Sequence, residues 1–177
     1  MGYYWSGGVV VGDAILFGGD DGVVVAHNLT QDVVLDTYSA QGSIRSGLSY
    51  WDGKVYFTTK DGYLYALPYG GGTFGQAKSV AIGASTCTPV IANGRVYVGT
   101  DEEGFKILDA ETLEVLYTLD LGGEIKGSAV ASTGYDGVTY VYVTVNEPGK
   151  GLICIVDDPA GTPYARTLFL QIGRAHV

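Results

Sequence analysis

Three sets of side chains in this sequence have types and spacing that could support chemistry, and each also has a plainer reading. His27, with Asp20, Asp21 and Asp32 close by in sequence, has the makings of a metal or acid–base cluster. A lone imidazole without a defined partner is more simply a turn or capping residue, because catalysis needs a second group to orient it. Asp20-Asp21-Gly22, Asp101-Glu102-Glu103-Gly104 and Asp157-Asp158 suggest calcium, which gathers several oxygens around one point. None has the alternating Asp-x-Asp-x-Asp-Gly order that puts three carboxylates on one loop, and tight turns account for the first two. The third set is aromatic. Tyr3, Tyr4, Trp5, Tyr50 and Trp51 could form a stacking platform for a sugar or peptide, with Tyr4, Trp5, Tyr50 and Trp51 as candidate ligand-binding residues. Packing in the protein core is the alternative use of the same rings.

Other reactive groups are sparse. Cys87 and Cys154 form no CxxC or other ligand spacing and read as small buried hydrophobes, with a disulfide between them as the alternative. No G-x-S-x-G elbow, phosphate loop or HExxH helix occurs, so hydrolase and nucleotide chemistry have no foothold. The net charge is −9 and the ten Lys and Arg are scattered singly, which leaves no basic stripe for nucleic acid. The longest apolar runs, such as Val9 to Val11 and Val23 to Ala26, fall far short of the ~20 residues of a spanning helix. Met1 is followed by no basic segment and apolar core, so no signal peptide is visible.

The elements that must carry these residues are strands. In 177 residues, 28 Gly and 14 Tyr against one Met favour short strands and tight turns over helices. Four copies of one unit begin at Gly12, Gly53, Gly94 and Gly137, recurring every 41 to 43 residues. That is the roughly 40–45-residue period of a four-stranded propeller blade. Each copy contains a hairpin: Ala14 to Phe17 with Val23 to Ala26, Val55 to Thr58 with Tyr63 to Leu67, and Val96 to Gly99 with Phe105 to Leu108. Small residues, such as Ser46-Gly47 and Thr88-Pro89, lead into an inner strand where blades converge. A more polar outer strand follows each hairpin: Val33 to Tyr38, Gln76 to Val80, Glu114 to Leu119 and Ala165 to Leu170. Tyr69-Gly70-Gly71-Gly72 reads as a flexible loop, and Asn146 to Gly151 as a long hairpin turn in the fourth blade. In this alignment His27 matches Asp109 of the third copy.

The third copy, TPVIANGRVYVGTDEEGFKILDAETLEVLY from Thr88 to Tyr117, resembles the repeat of the pyrroloquinoline-quinone-like (PQQ-like) β-propellers. Leu108-Asp109-Ala110-Glu111-Thr112 is similar to that family's Asp-Ala-x-Thr-Gly turn. Where the quinoprotein enzymes carry Gly and then Trp, this chain has Leu113 and Tyr117, and it lacks the adjacent cysteine pair that stacks on the quinone in many of them. The resemblance implies the fold without implying the cofactor.

The expected fold is therefore an all-β propeller of about four four-stranded antiparallel blades, 3–40, 42–81, 84–121 and 123–170, forming an open partial ring. Its end faces should be apolar and adhesive unless an assembly hides them. Residues 171–177 abandon the pattern, resemble a sequencing adapter read in frame, and are expected to be a non-native tail over a native end near Leu170. The expected function is a non-catalytic repeat module that binds protein or glycan, or acts as a scaffold, in a larger extracytoplasmic protein whose remaining blades are missing. It would need no cofactor and have no nucleic-acid partner or transmembrane segment. The alternatives are a fragment of a PQQ-dependent dehydrogenase holding quinone and calcium, and a scaffold propeller of the outer-membrane-assembly type.

Overall fold

The alternation of apolar residues and Gly-containing turns is realised as strand after strand. In the computed structural model, which describes residues 7–102 and 104–170, the chain is all-β. The first blade is β1 (Val9–Val11), β2 (Ala14–Gly18), β3 (Val23–Asn28) and β4 (Val33–Ser39), hydrogen-bonded antiparallel in that order. The second is β5 (Ser49–Trp51), β6 (Lys54–Thr58), β7 (Tyr63–Gly70), the two-residue β8 (Thr73–Phe74) and β9 (Lys78–Ala81). Here β7 pairs with β9 along the blade and with β8 at its far end. The third is β10 (Val90–Ala92), β11 (Arg95–Gly99), β12 (Phe105–Asp109) and β13 (Val115–Leu119). The fourth is β14 (Val130–Thr133), β15 (Thr139–Thr144), β16 (Gly151–Asp157) and β17 (Tyr164–Leu170). These are the four antiparallel blades of the expected propeller fold. Among the described residues no helix is long and apolar enough to cross a membrane.

Two compact units divide the chain, Met1–Pro89 with the first two blades and Val90–Val177 with the last two. Turn chemistry sets the register. Asp52-Gly53 joins β5 to β6 and Asn93-Gly94 joins β10 to β11, all four residues having φ between 46° and 73°. These are two-residue loops with positive φ at both central positions, the type I′ geometry whose twist matches a hairpin. The expected loose loop at Tyr69 to Gly72 is instead ordered pairing. Gly71 and Gly72, at φ 61° and 86°, make the same kind of turn and fold β8 back onto β7. Consecutive glycines look flexible in sequence but are also what a I′ turn requires. The long turn expected at Asn146 to Gly151 is present between β15 and β16, with Gly151 already the first residue of β16.

Small residues at the inner strands allow close approach, as expected. In the first unit Gly47 N–H donates to Thr88 Oγ1 at 2.8 Å, and a Cβ on Gly47 would lie 2.6 Å from that oxygen. Leu48 N–H donates to the Gly7 carbonyl at 3.0 Å. The inner strands of this unit are thus tied at points where a larger residue would push them apart.

Core packing follows strand alternation. In the first unit Ala14, Leu16, Val24 and Ala26 of the first blade cluster with Leu48, Val55, Phe57, Tyr65 and Leu67 of the second. Phe57 and Tyr65 stack with centroids 5.0 Å apart and planes 3° from parallel. In the second unit Val141, Val143, Ile153 and Ile155 of β15 and β16 are buried, as are Val96, Tyr97, Val98, Phe105 and Ile107 of β11 and β12. Cys87 and Cys154 are both buried and are not joined in a disulfide, the packing role expected of them.

Candidate functional site

The first unit carries an open cleft of about 550 Å³ at the rim shared by its two blades. Val11, Gly12, Asp13 and Ala14 of the β1–β2 hairpin form one wall, Tyr50 and Tyr69 another, and Asn28, Gln31, Leu35 and Gly70 to Gly72 complete it. Each part has a local cause. The Gly12-Asp13 turn projects Asp13 outward, and the Asp13 carbonyl accepts the Leu29 N–H at 2.8 Å, which ties this turn to the next. Asn28 Oδ1 accepts from Thr30 N–H at 2.9 Å and Gln31 N–H at 2.7 Å, closing an Asx-type turn that holds Gln31 at the cleft.

The aromatic wall is built from the second blade. Tyr69 is buried and packs on Phe74 with centroids 5.1 Å apart. Phe74 N–H donates to Asp36 Oδ2 at 2.8 Å, which anchors the β7–β8 hairpin to the outer strand of the first blade. Burial, with the nearby Asp36 and Tyr50, pushes the Tyr69 phenol up, so it is a neutral hydrogen-bonding group near pH 7. Tyr50 is 38% exposed and offers the cleft an accessible ring. The lining combines aromatic surface, carboxamides, one carboxylate and backbone of a glycine turn, with no Lys or Arg among the described residues. Such a set hydrogen-bonds and stacks on a polyhydroxylated or amide-bearing molecule, but it has no cation to neutralise an anionic one.

Of the four aromatic candidates, the structure brings Tyr50 into the cleft. Trp51 is the next residue on β5, so its side chain points to the opposite face, and it is half-buried outside the cleft. Tyr4 and Trp5 lie outside the described residues. The other cleft residues went unpredicted, because the first unit assembles them from three separate turns. The glycine run at 70 to 72 was the one local signal of a site there.

The other candidate chemistry resolves into structure. His27 Nε2 lies 2.9 Å from Asp32 Oδ1, closing the turn after β3. The capping side chain is its neighbour Asn28, and strand register sets Asn28, not His27, against Asp109: Ala14 pairs with Asn28 as Arg95 pairs with Asp109. Asp109 Oδ1 accepts from Glu111 N–H at 2.9 Å and Thr112 N–H at 2.7 Å, as Asn28 does in its own turn. The Thr112 amide is the chief influence holding the Asp109 carboxyl below its usual range. The acidic turns are also engaged. Asp20 accepts from Ser43 Oγ and, at 2.8 Å, from Arg45 Nε, and these bonds, Arg45 first, lower its carboxyl. Lys126 Nζ lies 3.0 Å from Asp101 Oδ1 and 3.7 Å from Glu124 Oε1.

Asp157, a calcium candidate from sequence, is instead a buried partner of two side chains in the second unit. Asp157, 2% exposed at its side chain, accepts from Tyr97 Oη at 2.7 Å and from Arg95 Nη1, joining the third and fourth blades. Burial first, then the bond to Asp157, pushes the Tyr97 phenol far above its ordinary value. Burial pulls the Arg95 guanidinium down, and Asp157 outweighs it with its hydrogen bond and charge, leaving Arg95 raised. This triad has all three members turned on one another and is a staple between blades.

Among the described residues no three His, Cys, Asp or Glu are grouped to hold a metal, and the two cysteines are not adjacent in sequence. No family model matches the sequence, and no curated protein matches it. Among solved structures, the chain is similar to the crystal structure of the computationally designed Ika4 protein. The TM-score is 0.61 at 14% identity, covering 96% of this chain and 100% of that one. At that identity the likeness speaks to fold alone. Fold and comparison together define the class, a β-propeller repeat chain.

Proposed function

We propose that this chain is a non-catalytic propeller module that binds a neutral glycan in the cleft of its first unit. The observation that carries the reading is the exposed Tyr50 ring set among Asp13, Asn28, Gln31 and the glycine turn. A sugar has an apolar face for the ring and hydroxyls for carboxylate and carboxamide, so this lining suits it better than an apolar peptide anchor. The module acts, in this reading, within a longer extracytoplasmic protein, a setting that rests on the resemblance to PQQ-like repeats. No catalytic role is assigned, because among the described residues no candidate acid–base or nucleophilic group lies in the cleft beside a partner that would activate it.

The test is calorimetric titration of the chain with neutral hexose and N-acetylhexosamine oligosaccharides, chosen first on a glycan array. Binding that Tyr50→Ala weakens at least about tenfold, with the fold retained, is the expected result. Binding unchanged in Tyr50→Ala, or none to any neutral glycan, removes the reading. So does turnover of an alcohol or aldose by the chain supplied with quinone and calcium.

A further inference from the structure

We infer that this protein self-associates head to tail, the outer face of the fourth blade in one copy seating on the outer face of the first blade in the next. The inference rests on register. Within each unit, one face of a blade packs on the opposite face of its neighbour: β2 residues Ala14 and Leu16 with Leu67 in the first unit, Arg95 and Tyr97 with Asp157 in the second. Strand pairing places Tyr140 of the fourth blade where the third has Tyr97, because Thr139 pairs with Asp157 as Val96 pairs with Leu108. The same pairing places His27 of the first blade where the fourth has Asp157, since Ile15 pairs with His27. The fourth blade thus ends in the donor half of the blade-to-blade pattern, and the first blade begins with the receiving half.

Several apolar residues at the rims around these positions are open to solvent. On the fourth blade Val130 is 67% exposed and stands directly across from Tyr142, with Tyr164 on the same face also exposed. On the first blade Val10 is 60% exposed, directly across from the half-buried Ile15, and Val34, across from His27, is exposed. The middle of each face is already shielded, Cys154 and Val25 being buried, so the contact is made by the rims. A second copy is the occupant that carries both complementary halves, because each copy presents at its fourth blade the face that its first blade receives. The two faces differ, so the contact is heterologous and each copy can give and receive one.

Sedimentation velocity of the full chain between roughly 1 and 200 μM tests this, over the range where contacts of modest size form and dissociate. The wild type is expected to associate with rising concentration. Val10→Glu and Val130→Glu, both at exposed positions, should each weaken self-association at least about tenfold, with melting curves showing that each still folds. Mixing the two variants is the discriminating step. Each retains the face that the other lacks, so the mixture should form one-to-one pairs that stop there. A wild type that stays monomeric across the range overturns the inference, whether another partner or nothing covers the faces. Association surviving both substitutions, or variants that fail to pair when mixed, overturns it as well.

Discussion

The two units solve the same packing problem with opposite chemistry. Between the first and second blades the contact made by Ala14 and Leu16 with Leu67 is apolar, next to the Phe57–Tyr65 stack. At the matching place between the third and fourth blades stand Arg95, Tyr97 and Asp157. Backbone geometry is shared: Asp20 with Arg45 and Asp101 with Lys126 recur as ion pairs 81 residues apart, as do the capped turns of Asn28 and Asp109. The difference shows that the repeat fixes where a contact occurs and leaves its chemistry free. An apolar contact tolerates partial loss. A buried ionic one fails when a single partner goes, because the remaining charge is left without compensation.

Breaking the ionic side should give the largest effect. Asp157→Ala strands Arg95 and the Tyr97 hydroxyl and should cost about 3–5 kcal/mol. Peptide-resolved hydrogen exchange should show protection lost in β10–β17 and kept in β1–β9; equal loss in both would mean the units do not respond separately. On the apolar side Leu67→Ala should cost about 2–4 kcal/mol as a cavity, with the loss confined to β1–β9 in the same exchange experiment. The comparison is sharpened by copying one chemistry onto the other. Arg95→Ala, Tyr97→Leu and Asp157→Leu together reproduce the Ala14, Leu16 and Leu67 set, and the triple variant should fall within about 2 kcal/mol of wild type by urea denaturation. A triple variant less stable than Asp157→Ala alone would show that the polar triad is irreplaceable.

The smallest effect is a pH dependence. The Tyr97 phenol is raised in the folded state, so its contribution is complete below pH 10, the ordinary phenol value. It is lost as pH rises further, because the unfolded chain releases that proton first. Tyr97→Phe should flatten the decline of the urea midpoint above pH 10; an unchanged slope would assign the decline to Tyr38 and Tyr69, whose phenols are also raised.

Much of the architecture was legible before any coordinates. Hairpins at Ala14 to Ala26, Val55 to Leu67 and Val96 to Leu108 were each found within a few residues of their strands, because alternation and Asp-Gly or Asn-Gly turns are local signals. Tyr50 was legible as an accessible aromatic but its companions Asp13, Asn28 and Gln31 were not, since nothing in a linear pattern says that three turns share one rim. The alignment of His27 with Asp109 slipped by one residue, which in a strand exchanges one face for the other.

By itself, then, the amino-acid order determined the blade period, the class of fold, the small residues at the inner strands and the absence of a basic stripe. All of these depend on neighbours a few residues apart. Tertiary structure alone decided that Gly71 and Gly72 make an ordered turn beside Leu35, that Tyr50 opens into a cleft while Trp51 turns away, and that Asp157 is buried against Arg95 and Tyr97. Those outcomes depend on which faces of distant strands meet. That is set by packing over some 60 residues of chain, a distance at which side-chain periodicity carries no information.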